Sequence, residues 1–423
     1  GIPMDLDFAT DWLSNLPISI IESILSQLPM RDAVRTSILS SKWRYRWTTL
    51  TTLIFNEKCI PLSNDRELDE SSLINFITRV LFLHQGPIHK FQLSTPCLRS
   101  CPDIDQWLLF LSRNDLKELI LELGEGEWFR VPSCLFSCRK LTKLELFRCE
   151  LDAPPAFKGF PCLKSLILHQ VLVASDAIEC LITSCPLLEN LALSYFDSFT
   201  LNIRAPNLKF LCLEGEFKGV CLEHTPSLVF LSIGMYMSDD IEQLEQISSC
   251  NFEKLLGGVP HLESLIGHVY FTKFLSIGND LGRLSIMFDN LKNIELYQVS
   301  FEDTTEIQIV MRLITNSPNL QELHISGSSN TIAALEVLDL NFWKQQNLHG
   351  CTFKHLQTVN MGDLSGIPHE MEFIKFLLGH SPVLEVMSIQ LGVYSMDSSL
   401  SMLMELVRFR RASAQAEILF LQD

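Results

Sequence analysis

Eleven histidines, with many serine, cysteine and aspartate side chains, could in principle supply a catalytic triad or a metal site. The sequence contains no GxSxG elbow, HExxH motif, Walker loop or dinucleotide-binding glycine pattern. The histidines are also dispersed along the chain, as at His84, His169 and His355. We therefore predict no catalytic residue and no cofactor site.

The 13 cysteines are scattered and odd in number. The closest pairs, Cys97/Cys101 and Cys134/Cys138, are spaced four apart and lack the CxxC spacing of a zinc site. We interpret the cysteines as reduced core thiols of a cytosolic or nuclear protein, and we predict no metal site.

The composition excludes several classes of protein. The 423 residues include 33 basic and 50 acidic side chains, a net charge of −17, and 47% are apolar. Phosphate binding requires a basic surface, so nucleic acid is not expected as a partner. The apolar content argues against disorder, and no apolar run approaches the ~18 residues of a membrane helix. The N-terminus also lacks the pattern of a secretory signal segment.

An LxxLxL pattern recurs through most of the chain, beginning with LKELILEL at Leu116. Further copies begin at Leu141, Leu163, Leu188, Leu208, Leu228, Leu262, Leu291, Leu320, Leu356 and Leu384, with a divergent copy at Ile88. Successive copies from Leu116 are 20 to 36 residues apart, which is typical of leucine-rich repeats with insertions.

A second pattern places a proline two residues before the first Leu of seven copies. These prolines are Pro161, Pro186, Pro206, Pro226, Pro260, Pro318 and Pro382. Proline ends a helix and leaves extended chain, so each copy is predicted to be a strand. Apolar residues at helical spacing before Pro186, Pro318 and Pro382 predict helices there. The predicted fold is an α/β solenoid with a parallel sheet on its concave face and helices on its convex face.

The residues between and just after the leucines should face the concave side of the sheet. Three such columns over eleven copies contain one basic residue, Lys143, and six glutamates. In the middle copies the columns become apolar and aromatic. The predicted substrate- or ligand-binding residues are His169, Phe210, Cys212, Phe230 and Ser232. The alternative is that a returning loop packs over them.

The first fifty residues contain no repeat and are predicted to form a separate module. Pro17 opens a helix with apolar residues at helical spacing, and Pro29 ends it. A second helix is predicted over 31–40, and a third around Trp43 and Trp47. About 40 residues cannot bury this much apolar surface internally, so we expect a protein partner.

The run LPISIIESILSQLPMRDAVRTSILSSKWRYRW resembles an F-box. It contains the family's two LP pairs, its apolar helical turns and its S-K/R-x-W ending. In that family the motif binds a Skp-type adaptor, which hangs from a cullin in an SCF ubiquitin ligase. The resemblance implies adaptor binding by Leu16, Pro17, Ile20, Ile21, Ile24, Leu25, Leu28, Pro29, Val34, Leu39, Trp43 and Trp47.

Residues 353–420, with their LLGHSPVLE and RFRRAS stretches, resemble the C-terminal segment of plant F-box/FBD/LRR proteins. The resemblance covers essentially the whole chain. We predict an F-box at 8–50, a helical linker to the first repeat at 51–87, leucine-rich repeats at 88–350, and FBD-like repeats with a cap at 351–423.

The resemblance implies a non-catalytic substrate-recognition subunit of an SCF ubiquitin ligase in the cytoplasm or nucleus. One alternative is a hormone-like receptor that holds a small apolar ligand near Phe210 and Phe230. Another is a scaffold that binds the adaptor without directing degradation. Some plant relatives of the receptor type use an inositol phosphate, which needs converging basic groups, so we predict none here.

The acidic surplus predicts one property of the target. The first fifty residues contain five bases and five acids, so the whole charge of −17 belongs to 51–423. A target with a basic face would be attracted to that region, and no membrane partner is expected.

Overall fold

The computed structural model describes residues 15–59, 70–95, 98–126, 128–236, 255–276, 286–328, 341–345, 350–392 and 399–421. Residues 8–14 of the predicted F-box lie outside the described residues. The chain forms two compact units, Gly1–Ala177 with Ser184–Leu187 and Ile178–Thr183 with Leu188–Asp423.

The N-terminal module begins with two short helices, α1 (Ile18–Ser26) and α2 (Met30–Arg35). Each starts directly after a proline whose ψ is near 145°, so the chain is extended up to the helix. The second predicted helix is shorter than expected, because its last turn tightens into a 3-10 helix, Thr36–Ile38.

The third predicted helix is instead a series of turns followed by a 3-10 helix, Arg46–Thr49. The hydroxyls of Thr48 and Thr49 donate to backbone carbonyls three residues earlier, at 2.6 and 3.1 Å. Such local bonds compete with α-helical pairing, and β-branched side chains also disfavour it.

In the first unit, five strands pair in parallel in chain order: β1 (Thr52–Asn56), β2 (Lys90–Thr95), β3 (Glu118–Leu123), β5 (Lys143–Phe147) and β7 (Ser165–His169). Two short strands, β4 (Phe129–Arg130) and β6 (Cys149–Glu150), pair separately.

In the second unit, nine strands pair in parallel in chain order: β8 (Asn190–Arg204), β9 (Phe210–His224), β10 (Phe230–Met235), β11 (Ser264–Gly267), β12 (Asn293–Val299), β13 (Glu322–Gly327), β14 (Thr358–Leu364), β15 (Val386–Leu391) and β16 (Glu417–Leu421).

Helices alternate with many of these strands, as parallel pairing requires. They are α3 (Glu70–Leu83), α4 (Ile104–Ser112), α5 (Ser175–Thr183), α6 (Phe271–Ser276), α7 (Thr304–Thr315), α8 (Asn341–Gln345), α9 (Pro368–His380) and α10 (Ser399–Leu406). The helices predicted before Pro186, Pro318 and Pro382 are confirmed as α5, α7 and α9. The predicted α/β class, with parallel strands and helices, is also confirmed.

The repeat pattern sets the strand register. In all twelve predicted copies the strand begins two residues after the first Leu, as β3 does after Leu116. The strand leucines point inward, so Leu119 and Leu121 are fully buried. β1 follows the same rule after Leu50, so the predicted helical linker at 51–87 contains a strand as well as α3. Phe55 occupies the position of the last Leu in the LxxLxL pattern, so a search for that pattern does not find this copy.

The strands β8 and β9 each run for 15 residues, more than twice the length of the 6-residue strand β10. The copies here are only 20 residues apart, which leaves no room for a returning helix. The chain therefore stays extended, and its second half buries Leu201, Ile203, Val220 and Leu222.

A left-handed residue recurs at the eighth position of five copies, at or next to the end of the strand in four of them and within the long strand β8 in the fifth. Arg148, Gln170, Tyr195, Gln298 and Asp363 have φ between +51° and +60°. This conformation costs a non-glycine residue about 1–3 kcal/mol, and most for β-branched side chains. The strand pairing shifts register at Tyr195, Gln298 and Asp363, so this irregularity is maintained against local strain.

Gln298 offers a test because its side chain is exposed. We expect Gln298→Val to lower the free energy of unfolding by about 1–2 kcal/mol, since valine tolerates positive φ poorly. Gln298→Gly should be near neutral because glycine adopts this conformation freely. The control Gln357→Val, at an exposed position without positive φ, should change stability by less than about 0.5 kcal/mol in urea unfolding. Equal effects of the two valine variants would contradict this account.

At the start of α9, Glu370 is 3% exposed. Its carboxylate accepts the backbone N–H groups of Ser365, Gly366 and Ile367 at 3.0, 2.7 and 3.1 Å. Burial outweighs these bonds and raises the pKa of Glu370 from 4.5 to about 7. The folded chain therefore binds this proton more tightly than the unfolded chain.

This difference predicts a pH-dependent stability. The contribution of Glu370 to the free energy of unfolding is complete below pH 4.5. It decreases by up to about 3 kcal/mol as the pH rises through about 7. Glu370→Gln removes this titration, so urea unfolding should show the variant gaining on the wild type between about pH 5 and pH 8. Glu372→Gln on the same helix is the control. A constant difference between Glu370→Gln and wild type across that range would refute the prediction.

Candidate functional site

The N-terminal module has a small core of its own. Of the residues predicted to bind an adaptor, Ile21, Leu25, Trp43 and Trp47 are at most 3% exposed. Ile21 and Leu25 of α1 are four residues apart, so they lie on the same inward face of the helix. These four side chains hold the module together, so they support a binding surface from beneath.

Other predicted adaptor-binding residues form the outer surface of the module. Pro17, Ile20, Ile24, Leu28 and Leu39 are exposed, while Leu16, Pro29 and Val34 are half-buried. The structure adds three exposed apolar residues that the sequence analysis left out. They are Ile18 at 53%, Ile38 at 84% and Tyr45 at 63% exposure. We call the exposed residues Ile18, Ile20, Ile24, Leu28, Ile38, Leu39 and Tyr45 the outer apolar surface.

Hydrogen bonds fix the loop that carries the most exposed of these residues. Ser37 Oγ donates to the carbonyl of Arg44 at 2.6 Å, which ties the two ends of the loop together. The indole N–H of Trp47 donates to the same Ser37 Oγ at 3.1 Å. Ile38 and Leu39 therefore lie on a loop that these hydrogen bonds hold in place. We call it the braced loop.

The module is also bonded to the first repeat within the same unit. The backbone N–H of Gln85 donates to the carbonyl of Thr48 at 2.7 Å. The His84 ring lies 2.8 Å from the carbonyl of Leu50 through Nε2, and burial lowers the pKa of this histidine. Val34 and Trp47 face α3 across a cleft of 400 Å³.

On the repeats, four of the five predicted surface residues lie together. Phe210 is paired in register with Phe230, and Cys212 with Ser232, on the neighbouring strands β9 and β10. The two phenyl rings have centroids 6.1 Å apart. His169 lies in the other unit, on β7, with its ring 5.3 Å from that of Phe147. That these residues bind a target or a ligand remains a prediction.

The second unit also carries side chains that the sequence analysis did not select. Tyr236 donates to Glu214 at 2.5 Å, and Tyr297 donates to Glu295 at 2.8 Å. His268 stacks on Tyr297, with ring centroids 5.4 Å apart and planes inclined by 9°. Tyr297 and His268 occupy the same outward-facing repeat positions as the predicted residues, but in later copies. The outward-facing positions of the repeat could therefore have identified them from the sequence.

Metal ligation and thiol reactivity depend on how histidine, cysteine and carboxylate side chains are placed. Within the described ranges, His, Cys, Asp and Glu side chains form no group that could hold a metal ion. The described cysteines are free thiols, and burial raises the pKa of Cys101 and Cys149 to about 12. Such thiols remain protonated and unreactive.

None of the helices within the described ranges has the length and apolar character needed to cross a membrane.

Three family models match successive parts of the chain. An F-box domain matches 13–54, the repeats of "FBD-associated F-box protein At5g56370, LRR repeats" match 104–325, and FBD matches 346–389. These ranges overlap the predicted F-box, repeat and FBD segments, and the outer apolar surface lies within the first range.

Several Arabidopsis thaliana proteins are similar over nearly their whole length. F-box/FBD/LRR-repeat protein At1g13570 is 56% identical over 413 residues, covering 98% of this chain and 99% of the relative. FBD-associated F-box protein At4g10400 is 29% identical, covering 97% of this chain and 100% of the relative. F-box/FBD/LRR-repeat protein At5g56420 is 28% identical, covering 97% and 99%.

The distinction between core and surface in the module can be tested. Trp47→Ala should lower the stability of the first unit by about 3–5 kcal/mol, because it empties a buried site and removes the Ser37 hydrogen bond. Ile38→Ala, at 84% exposure, should change it by less than about 0.5 kcal/mol. Thermal unfolding followed by tryptophan fluorescence measures both. Comparable losses in the two variants would show that Ile38 belongs to the core.

Proposed function

Because the chain belongs to the F-box/FBD/LRR-repeat family, we propose that it is the substrate-recognition subunit of an SCF-type ubiquitin ligase. F-box/LRR proteins are generally non-catalytic adaptors. In this proposal the F-box binds a Skp-type adaptor and through it a cullin, while the repeat and FBD region recruits a protein target for ubiquitination.

The outer apolar surface is the observation that carries the proposal. The F-box already has a buried core, yet it exposes seven large apolar or aromatic side chains within about thirty residues. Grouped exposed apolar residues of this kind mark protein-binding surfaces. Burying them against an adaptor would release about 25 cal/mol for each Å² of apolar area.

The link between the F-box and the first repeat supports a positioning role. Hydrogen bonds from the α3 end to Thr48 and Leu50 join the F-box to the repeats of the same unit. A short connection limits the volume that a bound target explores. The target's lysines would thus be held near the ubiquitin-charged enzyme of the complex, which supplies the chemistry.

The proposal predicts that charges on the braced loop prevent adaptor binding. The double variant Ile38→Asp/Leu39→Asp should weaken binding to a purified Skp-type adaptor by about 100-fold or more, because two anchor side chains are lost and charges are buried. Isothermal titration calorimetry measures the affinity, and circular dichroism checks the fold.

The matched control is Leu172→Asp/Leu187→Asp, which replaces two exposed leucines elsewhere in the same unit. We expect this variant to bind the adaptor like the wild type. If the wild-type chain shows no adaptor binding, or if both double variants bind equally well, the proposed role of the F-box is wrong.

A further inference from the structure

The sheet of the second unit ends at β16, where its core is incomplete. In the part of the chain that the structure describes, β16 pairs with β15 on one side and with no strand on the other. The inward side chains of Met387 and Ile389 on β15 are fully buried. Their neighbours on β16, Ile418 and Phe420, are only half-buried. The last strand therefore lacks the cover that the other strands receive from the next copy.

The backbone groups of β16 alternate between its paired side and its open side. The N–H of Glu417 donates to the carbonyl of Glu385 on β15 at 2.8 Å. Successive residues of a parallel strand direct their backbone groups to opposite sides, so those of Ile418 and Phe420 point away from β15. We call these outward backbone groups the β16 edge. A strand edge of this kind is a template for pairing with another chain.

An arginine of the same unit disfavours a further parallel strand on this edge. In the repeats, two successive N–H groups of one copy donate to a single carbonyl of the copy before it. Gln357 and Thr358 donate in this way to Gln321, at 2.8 and 3.1 Å. The equivalent carbonyl of the last copy belongs to Ala416, and it already accepts a hydrogen bond from Arg411 Nη1 at 3.0 Å. A parallel strand in the repeat register would have to displace this arginine.

An antiparallel strand avoids the arginine, and a second copy of the chain supplies one in a self-complementary register. A two-fold axis at Leu419 places Ile418 of each copy opposite Phe420 of the other. Both residues direct their backbone groups outward, so each such pair exchanges two hydrogen bonds. The half-buried side chains of Ile418 and Phe420 then cover one another. Glu417 lies opposite Leu421, so no like charges meet.

The helix beside β16 provides further apolar surface for this contact. Leu400, Met404 and Val407 follow one another at intervals of four and three residues and are 69%, 56% and 78% exposed. Side chains at this spacing lie on one face of a helix. A two-fold axis perpendicular to the sheet keeps the α10 helices of both copies on the same side of the joined sheet, where this apolar face can be buried.

The local charge favours a second copy as the occupant. The whole chain carries a charge of −17, so two copies repel each other over most of their surface. Residues 399–421 contain three arginines and two glutamates, which makes this end of the chain slightly basic. Two copies can therefore approach each other here with little repulsion.

We propose that the chain forms a two-fold symmetric dimer through antiparallel pairing of two β16 strands. This inference goes beyond the proposed function, since it concerns the assembly of the chain with itself. The dimer presents two copies of the target-binding region, and a target that engages both is held more tightly than by one.

The test uses the full chain in analytical ultracentrifugation across the micromolar concentration range. We expect the mass to approach twice that of a single chain. Leu419→Lys, at an exposed position on the axis, places two like charges directly opposite each other and should raise the dimer dissociation constant at least tenfold. The control Met287→Lys adds the same charge at another exposed position of this unit and should dimerise like the wild type. Circular dichroism checks the fold of both variants.

A mixing experiment tests the position of the axis. Leu419→Glu should also weaken its own dimer at least tenfold, because two carboxylates then face each other. An equimolar mixture of Leu419→Lys and Leu419→Glu should associate again, since opposite charges meet across the axis in the mixed dimer. A role of Leu419 in folding alone would give no such recovery.

Several results would overturn the dimer. They are a monomeric wild type throughout this range, a dimer that Leu419→Lys leaves intact, and a mixture of the two charged variants that stays monomeric. Adaptor affinity is measured in Leu419→Lys as well and should equal that of the wild type, because the F-box belongs to the other unit. A monomeric wild type that binds the adaptor contradicts the dimer alone, whereas a dimeric wild type that does not bind it contradicts the F-box proposal alone.

Discussion

The alternation of buried and outward residues along each strand is the constraint on which the rest of the structure depends. In every LxxLxL copy the leucines enter the core, and within each unit parallel pairing aligns neighbouring copies in register. A shift of one residue would turn the leucines outward and the polar columns inward. The register therefore determines which side chains form a common face, as with Phe210 and Phe230, although they are 20 residues apart in sequence.

The N-terminal module and the first repeat belong to the same compact unit and share a boundary residue. Leu50 is the first residue of the β1 copy and also lies directly after the Arg46–Thr49 helix of the module. Its carbonyl faces the His84 ring from the end of α3. The boundary between module and repeats is thus shared by both, and no flexible spacer separates them within this unit.

The strands were predictable from the sequence because their signal is local and repeated. Each predicted copy begins a strand two residues after its first Leu or Ile, and three predicted helices precede Pro186, Pro318 and Pro382. The exceptions have physical causes. The β1 copy was hidden because Phe55 replaces a leucine, and the 3-10 helix Arg46–Thr49 contains hydroxyl bonds of Thr48 and Thr49 that compete with α-helical pairing. The left-handed residues at the eighth position, such as Gln298, are of no common type, so composition could not identify them.

The binding surfaces were less predictable because they depend on distances between side chains. An amphipathic pattern showed that Ile21 and Ile24 belong to one helix, but only packing separates the buried Ile21 from the exposed Ile24. The close approach of Glu214 and His268 around the buried Gly234 involves three copies, and the spacing between those copies varies with their insertions. A glycine gives no signal of its own in a sequence. Its role becomes recognisable only when the parallel register places Glu214 and His268 on its two sides, where a larger residue would crowd them.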